Sequence, residues 1–343
     1  MEYQLKMFIP FTTTGIGSLP HRNPIEACNL VLRSFDIPFW PQLPQLSFRE
    51  LMIPQYSEGI PFLKIDEGRQ TIWIERDGSD ALERFYGTYT EDLKLPVSES
   101  HAQGFHAFLR IIRDMHFAVL KGHVTGPLTF TLGLKDNKGR LVYFDEELRE
   151  ISLLVLKSKI RWQIDELKPF ADRIIIFIDE PVLSALGSSG YLGVSPEEAL
   201  RLLRETSEFV WKAGGIPGIH CCSRADWPLV INSGVNIISF DAYDYLETVS
   251  LYPLEFREFL GSGGYLAWGI VPTTDAILEA DTVSIKKRFE QGIELLSENI
   301  PTDLLLSRII LTPSCGTGSM NVEEAEKVFR MLGELKVLLV DER

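Results

Sequence analysis

Apolar positions along the chain follow two rhythms that take turns. Short β-branched runs at 117–125, 173–179, 216–220, 236–241, 265–270 and 308–312 alternate with longer amphipathic stretches. Those stretches cover 146–167, 196–213, 224–233, 253–260, 282–298 and 322–336. In one of them Leu200, Leu203 and Ser207, flanked by Leu202 and Val210, recur at helical spacing. Strands and helices in strict succession mean parallel pairing with right-handed crossovers. Upstream, 11–17 and 37–42 read as two further strands, with a helix over 25–35 between them. The total is eight strands, the number that closes a (β/α)8 TIM barrel. Segment 61–92 breaks the rhythm. Its runs at 62–65 and 71–75, separated by Asp66-Glu67-Gly68-Arg69-Gln70, predict a β-hairpin insertion. No repeat, low-complexity tract or Gly/Pro/Ser-rich linker divides the chain, so residues 1–343 read as a single barrel domain. The other α/β arrangement, a doubly wound open sheet, starts with a three-glycine turn. Gly15-Ile16-Gly17-Ser18 lacks the third glycine and runs into Leu19-Pro20.

Composition adds mainly exclusions. With 343 residues, 45% hydrophobic and 24% charged, the chain can bury a sizeable core without disulfides. A formal net charge of −14 argues against a nucleic-acid groove or an anionic membrane surface as partner. The first eleven residues have no secretory pattern, and no run of 18 apolar residues spans a membrane. Four cysteines are too few for a secreted disulfide framework. The expected compartment is the cytoplasm, where thiols stay reduced and free to bind metal.

In such a barrel the reactive groups stand at the carboxyl ends of the strands. One strand ends Gly218-Ile219-His220-Cys221-Cys222, the next ends Ser239-Phe240-Asp241, and the last ends Thr312-Pro313-Ser314-Cys315-Gly316. Imidazole, thiolate and carboxylate together suit zinc. His220 and Cys222, two apart in extended chain, leave the same face, whereas Cys221 points the other way into packing. Cys28 lies in a helical segment and reads as packing too. Cys315 completes the set, with Asp241 a fourth ligand, a helix cap or a group that orients His220. Structural zinc usually takes close CxxC pairs. Ligands spread over separate strand ends fit a catalytic ion that binds a substrate thiol as thiolate and makes it nucleophilic.

Thr12-Thr13-Thr14, Ile16-Gly17-Ser18, Lys121-Gly122 with Thr125-Gly126-Pro127, Ile178-Asp179-Glu180-Pro181, His220-x-Cys222 and Cys315-Gly316 occur in one order. That order resembles the catalytic C-terminal half of cobalamin-independent methionine synthase, over roughly residues 10–335. The N-terminal half is absent, so the chain looks like the short "core" methionine synthases, within the uroporphyrinogen decarboxylase and zinc methyltransferase superfamily. The resemblance implies Zn2+ on His220, Cys222 and Cys315, with Asp241 where the long enzyme has a glutamate ligand. It implies homocysteine as substrate, its carboxylate end at Ile16 and Ser18 and its ammonium at Asp179. A second acid that holds homocysteine in the family is not evident, and Gln45 is the nearest polar substitute.

Two departures bear on the methyl donor. Gly133 falls where the long enzyme has a tryptophan against the folate, and Ala267-Trp268-Gly269-Ile270 replaces an Asp-x-His whose histidine protonates the folate leaving group. A tertiary amine needs that acid, whereas a cobalt(I) corrinoid leaves without a proton. The donor expected is therefore methylcobalamin or another methylcorrinoid, free or on a corrinoid protein, in place of methyltetrahydrofolate. His123 stands where a general acid could substitute, and His21 shares that ambiguity. Uroporphyrinogen decarboxylase activity is disfavoured, because its N-terminal arginine-rich motif is not found near Arg22. The rival readings are a zinc methyltransferase for another thiol, such as coenzyme M, and a non-catalytic zinc- and thiol-binding scaffold for a corrinoid protein.

Overall fold

The computed structural model describes residues 7–90, 92–191 and 193–341. Seven parallel strands form one curled sheet: β1 (Thr12–Thr13), β4 (Phe117–Thr125), β5 (Ala171–Asp179), β6 (Ile216–Cys221), β7 (Ile237–Asp241), β8 (Tyr265–Val271) and β9 (Ile309–Pro313). Their order is β1-β9-β8-β7-β6-β5-β4, so the first strand pairs with the last, as in a TIM-barrel-like curl. An antiparallel pair, β2 (Leu63–Asp66) with β3 (Thr71–Ile74), stands apart from this sheet.

The expected eight-stranded closed barrel is corrected at one place. Residues 37–42 form no strand, only isolated bridges of Phe39 with Lys121 and of Gln42 with Ser18. The segment still lies between the two sheet edges, since Ile37 N–H donates to Thr13 and Lys121 N–H donates to the Pro38 carbonyl. Pro38 and Pro41 have no N–H to give, which interrupts a ladder in mid-run. The first strand is also shorter than the 11–17 expected, ending at Thr13, and a Cβ at Gly15 would run into the Phe39 ring.

Each later strand leads into a helix that packs on the outside of the sheet, such as Glu146–Leu167, Pro196–Lys212, Thr282–Ser297 and Val322–Asp341. Alternation along the strands sorts side chains into two cores. Outward residues such as Ile176, Ile178, Ile219, Phe240 and Trp268 meet the helices. Inward residues, among them Ile175, Phe177, Ile237, Tyr265 and Ile310, fill the inside of the curl together with Phe8 and Ile16. Among the described residues no helix is long and apolar enough to cross a membrane.

Candidate metal and thiol site

Because all strands of the curled sheet run the same way, their carboxyl ends gather on one rim. A cavity of about 480 Å³ opens there, lined among others by Ile16, Ser18, Gln45, Asp179, His220, Cys222 and Cys315. A larger hollow of about 570 Å³ lies at the amino ends of β7 and β8, near Asn236 and Gly264, and its lining holds neither histidine nor cysteine. The chemistry is at the first of the two.

His220, Cys222 and Cys315 each bring one donor atom, all within 4.8 Å of one another. Tetrahedral zinc, with bonds of about 2.0–2.3 Å, needs donors roughly 3.5 Å apart, so small side-chain adjustments suffice. Ser239, the register partner of His220 on β7, has its hydroxyl 2.9 Å from Nδ1. That contact fixes the imidazole and leaves Nε2, 3.0 Å from Cys222 Sγ, on the cluster side. A hydrogen bond from the Cys222 thiol holds Cys315 well below the usual thiol range, against the opposing effect of burial and with help from His220. The same contact with Cys315, together with burial, keeps the proton on Cys222. Cys315 is thus the sulfur readier to lose its proton, and the donor set fits zinc.

The remaining cysteines stand elsewhere. Cys221 belongs to the outer core, and burial pushes its thiol up to about 11. Cys28 contacts the Gly104 carbonyl, and burial pushes it to about 12. Both are inert at neutral pH.

Asp179 ends β5 beside His220, its register partner on β6. Burial raises its carboxyl to about 7, while His220 and Lys121 pull the other way, and its enclosed Oδ1 has no hydrogen-bond partner. Ser18 is stitched to the loop after β9: its Oγ accepts from Gly318 N–H at 3.2 Å, and its carbonyl accepts from Thr317 N–H and Oγ. A Cβ on Gly316 would collide with Ser18 Oγ, which accounts for the glycine beside Cys315. Gln45 lines the cavity with both amide hydrogens engaged, donating to the carbonyls of Gly318 and Met320. Its side-chain oxygen is the atom left to meet a ligand.

Three expected residues stand apart from this group. Asp241 ends β7 but is not among the clustered donors, and its Oδ1 accepts from the N–H groups of Tyr243 and Asp244, both at 2.9 Å. Burial lifts its carboxyl to about 6. His123 does not line the cavity. Its ring stacks on Trp40 with centroids 3.8 Å apart, both nitrogens lack partners, and burial, then Lys121, holds its pKa well below the usual value. That placement offers no support for proton delivery by His123. His21 is likewise buried off the cavity.

Sequence reasoning passed over Ser239 and Lys121 as site residues. Each was visible as a lone polar residue inside an otherwise apolar run, Ile237-Ile238-Ser239-Phe240 and Val119-Leu120-Lys121-Gly122. Lys121 is fully buried, donates to the Ile16 carbonyl at 2.6 Å, and is drawn down to about 7 by burial, with Asp179 opposing.

No family model and no curated protein matches the chain. Solved structures do. A B12-independent methionine synthase from Shewanella sp. W3-18-1, in complex with selenomethionine, superposes with a TM-score of 0.60 over 97% of this chain and 98% of that one, at 12% identity. At that identity the likeness shows the fold. A xylose isomerase-like TIM barrel/4-hydroxyphenylpyruvate dioxygenase fusion protein, 14% identical over 68% of this chain and 42% of its own, reaches 0.32 and carries no argument.

Proposed function

We propose that the protein is a zinc-dependent S-methyltransferase that converts homocysteine to methionine, with a methylated corrinoid as donor. The observation that carries this reading is the His220, Cys222 and Cys315 cluster sharing one cavity with the unpartnered Oδ1 of Asp179. Support also comes from the full-length likeness to a methionine synthase, together with the ordered motifs of the sequence.

Bound zinc would be held by His220, Cys222 and Cys315 and would lower the pKa of the substrate thiol, so that sulfur is a nucleophile at neutral pH. The chain's own residues do the rest. Asp179 accepts hydrogen bonds from the substrate ammonium. Neighbouring parallel strands lie about 5 Å apart, close to the span from amine to thiol in homocysteine. Ser18, through its free hydroxyl hydrogen, and the Ile16–Ser18 backbone take the carboxylate, and Gln45 Oε1 meets the ammonium edge. Met52, Leu51 and Pro44 give the mouth an apolar border that sheds water around the transferring methyl.

The sulfur attacks the methyl carbon in line. The S–C bond forms as the methyl–donor bond breaks, and the bonding pair leaves with the donor. No side chain of β8 lines the cavity, so an acid from that strand is not available to protonate a folate amine. A cobalt(I) leaving group needs none, which favours the corrinoid, free or carried on a corrinoid protein. Arg22 is exposed and outside the cavity, so the coenzyme M reading gains no sulfonate partner from it.

The test is methionine formation from homocysteine by zinc-loaded protein, with methylcobalamin and methyltetrahydrofolate offered separately. Product from methylcobalamin alone is expected. Efficient turnover with the folate would overturn the donor, and no product from either would favour the non-catalytic scaffold or another thiol.

A further inference from the structure

Lys121 is a fully buried lysine near the middle of β4 that the mechanism above does not use. Burying an ammonium is costly unless the fold needs the charge. Its surroundings show where that charge acts. Nζ donates to the Ile16 carbonyl at 2.6 Å and lies 4.5 Å from the Phe177 ring centroid and 5.1 Å from that of Phe39. Along β5, Ile175, Phe177 and Asp179 point to the same side, so the ammonium packed on Phe177 sits one layer beneath Asp179. Lys121 and Asp179 act on one another through charge without a direct ion pair.

We infer that Lys121 is a positioning residue for the amino-acid end of the thiol substrate, tying down the Ile16 strap and placing an ionisable amine behind Asp179. The inference rests on the homocysteine reading and deepens it. Ile16 and Asp179 both line the cavity and belong to segments more than 160 residues apart, 16 against 179. A single lysine that bonds to the first and acts on the second through charge links the groups that would grip carboxylate and ammonium. The loaded site would gather two cysteine thiolates, the substrate sulfur, its carboxylate and Asp179 against one zinc ion and one ammonium, and that surplus of negative charge favours the protonated form of the buried Lys121 amine. Lys121 does not line the cavity and touches no reacting atom, so it acts through Ile16 and Asp179.

The experiment uses Co2+-loaded protein, whose thiolate-to-metal absorption reports thiol binding. Homocysteine is compared with 1-propanethiol, which has the sulfur and neither charged group. Lys121→Met fills the same space between the rings without charge, and Lys121→Gln keeps a donor for Ile16 while losing the charge. In both variants homocysteine should bind about tenfold or more weakly, as expected for losing a charge-assisted contact. Metal content and propanethiol binding should stay as in the parent. Unchanged homocysteine affinity would overturn the inference and leave the homocysteine reading standing. A parent protein with no preference for homocysteine over propanethiol would overturn both. If Lys121→Met fails to fold, Lys121→Gln decides. Loss of metal, or equal loss of both thiols, in the variant that folds would make Lys121 a merely structural residue and overturn the inference, as would failure of both to fold.

Discussion

His220 and Cys222 reach the same cluster because they stand two positions apart at the end of β6, while Cys315 follows another strand end. Removing either sulfur leaves two donors, too few to hold zinc in a catalytic site. Cys222→Ser and Cys315→Ser are each expected to lose stoichiometric zinc and, with it, methyl transfer. Metal analysis after gel filtration checks this, and full zinc in either variant would contradict the ligand set. Asp179 has a different task, so Asp179→Asn should keep its zinc. With the ammonium's partner neutralised, KM for homocysteine should rise about 10–100-fold, the range of a lost charged hydrogen bond. Steady-state kinetics beside metal analysis separates the two cases. The clustered donors were readable in the sequence because cysteine and histidine at strand ends are conspicuous. Ser239 and Lys121 were not, because their meaning depends on register: Ser239 matters only because β7 places it beside His220.

The same dependence on neighbours appears in the elements. Runs such as 117–125 were legible because β-branched residues buried on both faces leave few alternatives to a central strand. Residues 37–42 look equally apolar, yet Pro38 and Pro41 break the hydrogen-bond ladder, and the segment bridges the two sheet edges without becoming a strand. The helix Gln103–Ile112 has no side-chain cap of its own at Ala102. Glu50 supplies one from a distant segment, its Oε1 accepting from Gln103 N–H at 2.7 Å and its Oε2 from Leu43 N–H at 3.2 Å. Nothing in the local sequence announces that link. Burial raises Glu50 to about 7 from an ordinary 4.5, so the folded state holds a proton that the unfolded chain releases. Its contribution to stability is full below pH 4.5 and is lost as pH rises through about 7. Glu50→Gln should flatten that fall, and urea unfolding at the two ends of the window measures it. An unchanged slope would mean that Glu50 ionises normally.

Across the whole molecule, the curl has a closed end and an open end. At the closed end the Tyr265 hydroxyl accepts from Met7 N–H at 2.8 Å and from Phe8 N–H at 3.3 Å, while Phe8 packs edge-on against the Tyr265 ring. Tyr265→Phe should therefore cost about 1 kcal/mol in denaturant unfolding and leave zinc content and turnover unchanged, because the proposed metal site lies at the opposite rim. A loss of zinc there would show that the two ends are not independent. The open end holds the proposed metal and thiol site. Zinc K-edge X-ray absorption on the zinc-loaded protein, before and after selenohomocysteine is added, tests it most directly. The first spectrum should fit two sulfurs and one imidazole, and the second should gain one selenium in the zinc shell. A spectrum without selenium, with the ligand shown to be bound, would contradict thiol activation by this metal.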